Sequence, residues 1–442
     1  MVDTDPQAGK EGTTGVTKGA LEERELRRAL APHLQRGDDS DDDEHHSEPG
    51  SDTDTDPGTS SSSESDDDEP AGNSNNEKHI EAALKKAHRA RWKAYGRREM
   101  QHSTVDLWEG HCLHFKPAAA TNTRVLSMQI AGCGANRGKV GAAISEMAFM
   151  MADDGSSLIS LQDLSMRASK SKRLHQTVKT GLAGPSGDSQ HDFVSDCALP
   201  EAFTAHIGAG AGRIKRRPRA QKGGVFHAAS GPIKNTRSAK LADERGWGRI
   251  VGACYGSKCK AQGVTKAVAV LSVYGPCLST VPGSMWQQQM SAMKKVADAK
   301  ADPCLQFLAD LEALCLKLRA SRHCHIVIQG DFNINLDKRS SHQKAMEAFM
   351  EKVGLVDAFK FLHPLKPRPQ TWIKNPDKDD TQSACLDYSL VSGELARAGA
   401  LVAAGCLTHD KITGDHRITG VELNLTPTLG TCLMTLHICH YL

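Results

Sequence analysis

The chain has 442 residues, yet no apolar run in it is long enough to span a membrane, since a transmembrane helix needs about 20 predominantly apolar residues. CxxC spacing is absent among its thirteen cysteines. Their odd number and scatter argue against a disulfide framework, so most are expected as small core residues in a reducing compartment. The start, MVDTDPQAGKEG, lacks an apolar h-region. That predicts an intracellular protein that is not secreted.

Lysine and arginine are missing between Asp38 and Glu69, where fifteen Asp and Glu stand. The net charge of the chain is only +2, so the remainder carries about +17. The acidic stretch DDSDDDEHHSEPGSDTDTDPGTSSSSESDDDE also lacks the apolar residues that would offset the entropy of ordering. Residues 1–76 are therefore expected to be disordered. Their serines beside acids resemble kinase sites. The segment suits basic proteins, or the basic remainder of its own chain, as partners. That remainder suits a polyanion, because clustered cations attract phosphates at long range.

Residues 77–120 begin with EKHIEAALKKAHRARWKAYGRR, rich in helix formers. Ile80, Leu84 and Ala87 share one face and cations cover the rest. This predicts a basic helical linker, either lying along nucleic acid or simply solvated.

From residue 121 to about 425, strand-length apolar runs alternate with helix-length segments. TRVLSMQIAG, SLISLQDL, RIVGACYG, KAVAVLSVYGP, CHIVIQGDFN, SACLDYSLVS and ITGVELNL read as strands. KVGAAISEMAFMMADD and CLQFLADLEALCLKLRAS read as helices with an apolar face. Buried strands interleaved with helices predict an α/β (α+β) domain with two mixed sheets packed face to face and helices outside. Residues 165–225 show a weak pattern and are expected as a loop insertion. It contains RIKRRPRAQKGG, whose Arg213, Lys215, Arg216 and Arg217 could touch phosphate or serve nuclear import. Residues 426–442 form a short apolar tail.

One stretch, HIVIQGDFNINLDKR, brings chemistry to this frame. It is a buried-strand pattern followed by Asp331 and Asn333. Alternation along a strand puts positions two apart on one side, so an extended chain would present both together. An acid and an amide there can polarise a water and hold a phosphoryl oxygen. GDFN is also a turn signal, since Gly, Asp and Asn all favour turns.

The ordered set SLISLQDL, VLSVYGP, IVIQGDFNINL, TWIKNP, ACLDYSLVS and TGDHRITGVEL resembles the endonuclease/exonuclease/phosphatase superfamily, over about residues 121–425. The resemblance implies a four-layer α/β sandwich with its site at one edge of two facing sheets. It implies Mg²⁺ as cofactor, with Mn²⁺ as a substitute, and nucleic acid, DNA first, as partner. Asp331 then orients or deprotonates the attacking water and Asn333 meets the phosphate. Asp387 holds His416, which donates to a phosphate oxygen, and Tyr274 contacts the scissile phosphate. Asp163, Gln129 and Asp415 border the metal, and Trp372 joins the basic residues as a substrate contact. Mg²⁺ accepts such a set because it prefers a few carboxylate and amide oxygens and keeps several waters.

The sequence departs from that pattern at two metal positions. Asp163 stands where the family normally has Glu, and Gln129 where it normally has Asn; Ala131 also replaces a residue that is usually polar. A longer amide and a shorter acid could compensate one another, or they could mark decay, which the apolar tail of a truncated mobile-element copy would also fit. Three functions follow: a metal-dependent DNA endonuclease of apurinic or retroelement type, a phosphatase or phosphodiesterase acting on another phosphoester, or a non-enzymatic interaction protein built on a decayed site. The histidines of HCLHF and RHCHI lack the spacing of a zinc finger.

Overall fold

The computed structural model describes residues 108–111, 113, 122–130, 144, 147, 150–151, 156–165, 174–176, 178, 193–199, 223–256, 267–279, 284–295, 302–322, 324–374, 382–407 and 415–426. Residues 1–76, the basic helix, Ala131, the basic run with Arg213, Lys215, Arg216 and Arg217, and the apolar tail beyond residue 426 lie outside the described residues.

Seven strands make one sheet: β1 (Trp108–Gly110), β2 (Thr123–Gln129), β3 (Ser156–Gln162), β4 (Phe193–Ala198), β5 (Val225–Ser230), β14 (Leu401–Leu407) and β15 (Thr419–Leu423), in the order β1-β14-β15-β2-β3-β5-β4. Six make a second: β6 (Arg237–Ala242), β7 (Ile250–Gly256), β8 (Ala267–Tyr274), β9 (Cys324–Asp331), β10 (Leu355–Asp357) and β13 (Asp387–Ser392), in the order β10-β13-β9-β8-β7-β6. A small ribbon joins β11 (Trp372–Ile373) to β12 (Ser383–Ala384). Both large sheets are mixed, with β2–β3 and β8–β9 parallel. Among the described residues, the α-helices with both ends defined are α1 (Met285–Lys295), α2 (Pro303–Arg322), α3 (Ser341–Val353), α4 (Ala358–Leu362) and α5 (Gly393–Arg397).

Strand alternation sorts the apolar residues into layers. Val125, Leu158 and Ala229 of the first sheet meet Val268, Val270, Val327 and Val391 of the second in one buried cluster. Their neighbours Leu126, Met128, Ile159 and Phe226 face the other way, onto helical Ile144, Met147 and Met150. On the far side Leu271, Ile326 and Ile328 pack against Phe307, Leu311 and Cys315 of α2 and against Met346 and Phe349 of α3. The result is the expected four-layer α/β sandwich. Full burial of each such Leu, Ile or Phe contributes about 1.5–3 kcal/mol.

The stripe between the sheets changes character along its length. On β9 it runs Val327, Gln329, Asp331; on β8, Val268, Val270, Ser272, Tyr274; on β2, Val125, Ser127, Gln129; on β13, in reverse, Val391, Ser389, Asp387. All four strands therefore turn polar at the same edge. Gln329 Nε2 crosses the gap there, donating to the Val125 carbonyl at 2.9 Å and to Ser389 Oγ at 2.8 Å.

Several expectations need correction. Strand β4 lies inside the stretch read as a loop insertion, where it pairs with β5. Its residues are half-buried rather than core, which is why their pattern is weak. Strand β1 lies inside the expected linker and pairs with β14. In α2, Cys304, Phe307, Leu308, Leu311, Cys315 and Leu318 are buried while Leu305 and Leu316 are exposed, so its apolar residues do not all share one face. No helix among the described residues is long and apolar enough to cross a membrane.

Candidate functional site

The GDFN element ends β9 with an Asx turn instead of continuing it. Asn333 has φ +53°, so extension stops at Asp331. The acid and the amide meet through that turn: Asp331 Oδ1 accepts from the Asn333 amide N at 2.8 Å, and Oδ2 accepts from Asn333 Nδ2 at 3.1 Å. Nδ2 also donates to the Gly275 carbonyl at 2.9 Å, and the Gly275 N–H donates to the Asp331 carbonyl at 2.7 Å. Both partners of Nδ2 are acceptors, so the amide's orientation is set chemically. Gly330 makes the approach possible. Its φ is +145°, and an added Cβ would lie 2.0 Å from the Val273 carbonyl oxygen.

Strand register supplies the neighbours. Asp331 is aligned with Tyr274 on parallel β8 and with Asp387 on antiparallel β13. His416 comes from the segment just before β15, where it bridges to Trp372 of β11. Its Nδ1 lies 2.9 Å from Asp387 Oδ2, and its Nε2 lies 3.9 Å from Asp331 Oδ2. Asp331, Asp387 and His416 offer ligand atoms within 4.8 Å of one another, and all three are buried.

Burial lowers the proton affinity of His416, but Asp387 and Asp331 outweigh it and hold the ring up at about 9. Nδ1 facing a carboxylate carries a proton, so a charged ring directs its Nε2–H away from Asp387. Burial first, and the facing Asp387 second, push the Asp331 carboxyl well above the ordinary range. Burial likewise holds the Tyr274 hydroxyl protonated, and that side chain hydrogen-bonds with Gln129.

The metal candidates sit around this group. Gln129 ends β2 beside Gln162 of β3, and Asp163 follows at φ +51°. Asp163 Oδ1 accepts from Ser165 Oγ at 2.5 Å and from the Gly223 N–H at 3.3 Å. Both Gln129 and Asp163 act on Tyr274. Asp415 Oδ2 accepts from Trp372 Nε1 at 3.2 Å, so Trp372 holds an acid at the rim. Asp163, Asp415 and the Gln129 amide offer only hard oxygen donors, the kind Mg²⁺ takes.

Sequence reasoning missed Thr371. This fully buried hydroxyl accepts from the Leu386 N–H and the Asp387 N–H, both at 2.9 Å, while its carbonyl accepts from the Arg417 N–H at 2.8 Å. It ties the start of β13 at Asp387 to the segment that carries His416. A small polar residue before Trp372 was the available signal, and its burial was invisible.

No family model and no curated protein matches the sequence. Among solved structures, the chain is similar to the AP endonuclease LMAP from Leishmania major, with TM-score 0.45 and 14% identity over 75% of this chain and 97% of that one. It is similar to the endonuclease domain of TRAS1, a telomere-specific non-LTR retrotransposon, with TM-score 0.39 and 10% identity over 69% of this chain and 99% of that one. It is also similar to the human Nocturnin catalytic domain, with TM-score 0.39 and 14% identity over 69% of this chain and 94% of that one.

Proposed function

We propose that this protein hydrolyses phosphodiester bonds with a divalent metal, and that its substrate is DNA, which it nicks. The observation that carries the reading is His416 set between two buried acids, with Nδ1 on Asp387 and Nε2 toward Asp331. Asp387 orients the ring, and Nε2–H is the donor to a phosphoryl oxygen. Asp331, held by both Asn333 nitrogens, accepts the proton of the attacking water. Its raised proton affinity makes it a better base than an exposed acid. Tyr274 stays protonated and donates to the same phosphate. Asp163, Asp415 and Gln129 would hold Mg²⁺, or Mn²⁺ in its place, and the ion supplies Lewis-acid polarisation of the phosphate.

The basic remainder of the chain supports a nucleic acid partner: clustered phosphate contacts need cations, and Arg213, Lys215, Arg216 and Arg217 provide them. The same run fits nuclear import. Nicking of supercoiled plasmid in Mg²⁺ or Mn²⁺ tests the proposal, with Asp331→Ala and His416→Ala as controls. Metal-dependent nicking by the parent chain alone is expected. Inorganic phosphate released from a phosphomonoester, without nicking, would instead make it a phosphatase. Failure of the folded chain on every phosphoester would make it an interaction protein.

A further inference from the structure

Asp302, Cys304 and His342 form a second cluster of metal-ligand type, which shares no residue with those assigned above. A carboxylate oxygen, the Cys304 Sγ and a ring nitrogen lie within 4.8 Å of one another. They come from two elements. Asp302 caps α2, its Oδ1 accepting from the Cys304 N–H at 2.8 Å and the Leu305 N–H at 3.2 Å. His342 stands in the first turn of α3, its Nε2 2.7 Å from Asp302 Oδ2.

We propose that these three side chains bind a transition-metal ion of the zinc class. The donor set decides the class. One thiolate, one imidazole and one carboxylate suit Zn²⁺ or Co²⁺, whereas Mg²⁺ avoids sulfur. The capping bonds occupy Oδ1, so Oδ2 is the oxygen that turns to the ion. A tetrahedral ion holds its nitrogen and oxygen ligands about 3.3 Å apart, so Asp302 and His342 need separate only slightly. Asp302 and His342 are half-buried, which gives the ion a path, while Cys304 forms the buried floor.

The site reaches the proposed active site by one bond. Cys304 Sγ–H donates to the Pro276 carbonyl at 3.0 Å. Pro276 follows Gly275, which holds Asn333 and Asp331. Metal binding forms the S–metal bond and releases the thiol proton, so this donor bond is lost. The ion therefore removes one of the bonds that hold the Gly275–Pro276 segment after Tyr274, while the bonds from Gly275 to Asp331 and Asn333 remain. This regulatory consequence rests on the function proposed above; the binding itself does not.

Co²⁺ titration of the full chain in excess Mg²⁺ tests the site. A thiolate–cobalt bond gives near-ultraviolet charge-transfer absorption, which an all-oxygen site cannot give. One Co²⁺ per chain with that band is expected, displaced by Zn²⁺. The band should vanish in Cys304→Ser, survive in Cys277→Ser, and need about tenfold more Co²⁺ in His342→Ala. Trp286 lies 6.3 Å from the His342 ring, so its fluorescence should be quenched in step with the band, a signal lost in Trp286→Phe. Absence of the band from the folded chain, its survival in Cys304→Ser, or unchanged binding in His342→Ala would each overturn the proposal.

Discussion

Asp331 and Asp387 are register partners across the antiparallel pair β9–β13, and His416 lies between them at 2.9 Å from Asp387 and 3.9 Å from Asp331. Two buried acids side by side are unfavourable unless something cationic joins them. The charge that His416 keeps is what the pair requires. Removing either member of the Asp387–His416 contact should therefore have the effect of removing both. His416→Ala and Asp387→Asn should each lower the nicking rate about 10²–10⁴-fold, with the double variant no worse than the poorer single one. A double variant that multiplies the two losses would show that they act separately.

A different position tests the fold beneath the site. Gly330 sits at φ +145° with β8 backbone 2.0 Å from where a Cβ would go. Gly330→Ala should cost more than about 4 kcal/mol, at the diagnostic end of single substitutions. Urea denaturation measures it, and a near-parental midpoint would refute it.

The departures at Gln129 and Asp163 make a third prediction. The two flank Tyr274 from neighbouring strand ends. If the longer amide and the shorter acid compensate, Gln129→Asn and Asp163→Glu each weaken Mg²⁺ binding about tenfold. Together they recover it, a coupling of about 1–3 kcal/mol. Calorimetric titration of the four proteins reads this. Tighter binding in each single variant would mean decay.

Acid stability should depend on His227. Its ring is buried between the sheets, Nδ1 at 3.1 Å from Ser272 Oγ and Nε2 at 2.8 Å from the Tyr255 hydroxyl, with Asp196 and Arg237 as the nearby charges. Burial lowers its pKa to about 4 from 6.5. Between those values the unfolded chain binds a proton that the folded one refuses. Stability is thus intact above pH 6.5 and falls as pH drops toward 4, by about 3 kcal/mol from this group. His227→Gln should flatten the denaturation midpoint across that window relative to the parent chain. An unchanged slope would be the contrary result.

Much of this was readable from sequence because strands and buried helices write their periods into apolar residues. The seven expected strands are present, and parity along CHIVIQGD put Asp331 on the same face as Val327 and Gln329. Weakly buried β4 and the short strands β1 and β10 left no such period, and the buried β5 and β14 were not read as strands either. The GDFN turn was ambiguous locally, since its residues serve turns and sites alike. Only the left-handed φ of Asn333 showed how Asp331 and its amide meet.

By itself, then, the sequence determined the order of elements, the alternation that lays polar strand ends along one stripe, and the acidic and basic division of charge. These are local properties, set by side-chain period and composition. Which strand ends meet was decided by tertiary structure. Register across β8, β9 and β13 brought Tyr274, Asp331 and Asp387 level, and Thr371 linked the segment that carries His416 to Asp387. Those pairings span 57 residues of chain between Tyr274 and Asp331 and 56 between Asp331 and Asp387. They depend on backbone hydrogen bonds between distant segments, which no local pattern encodes.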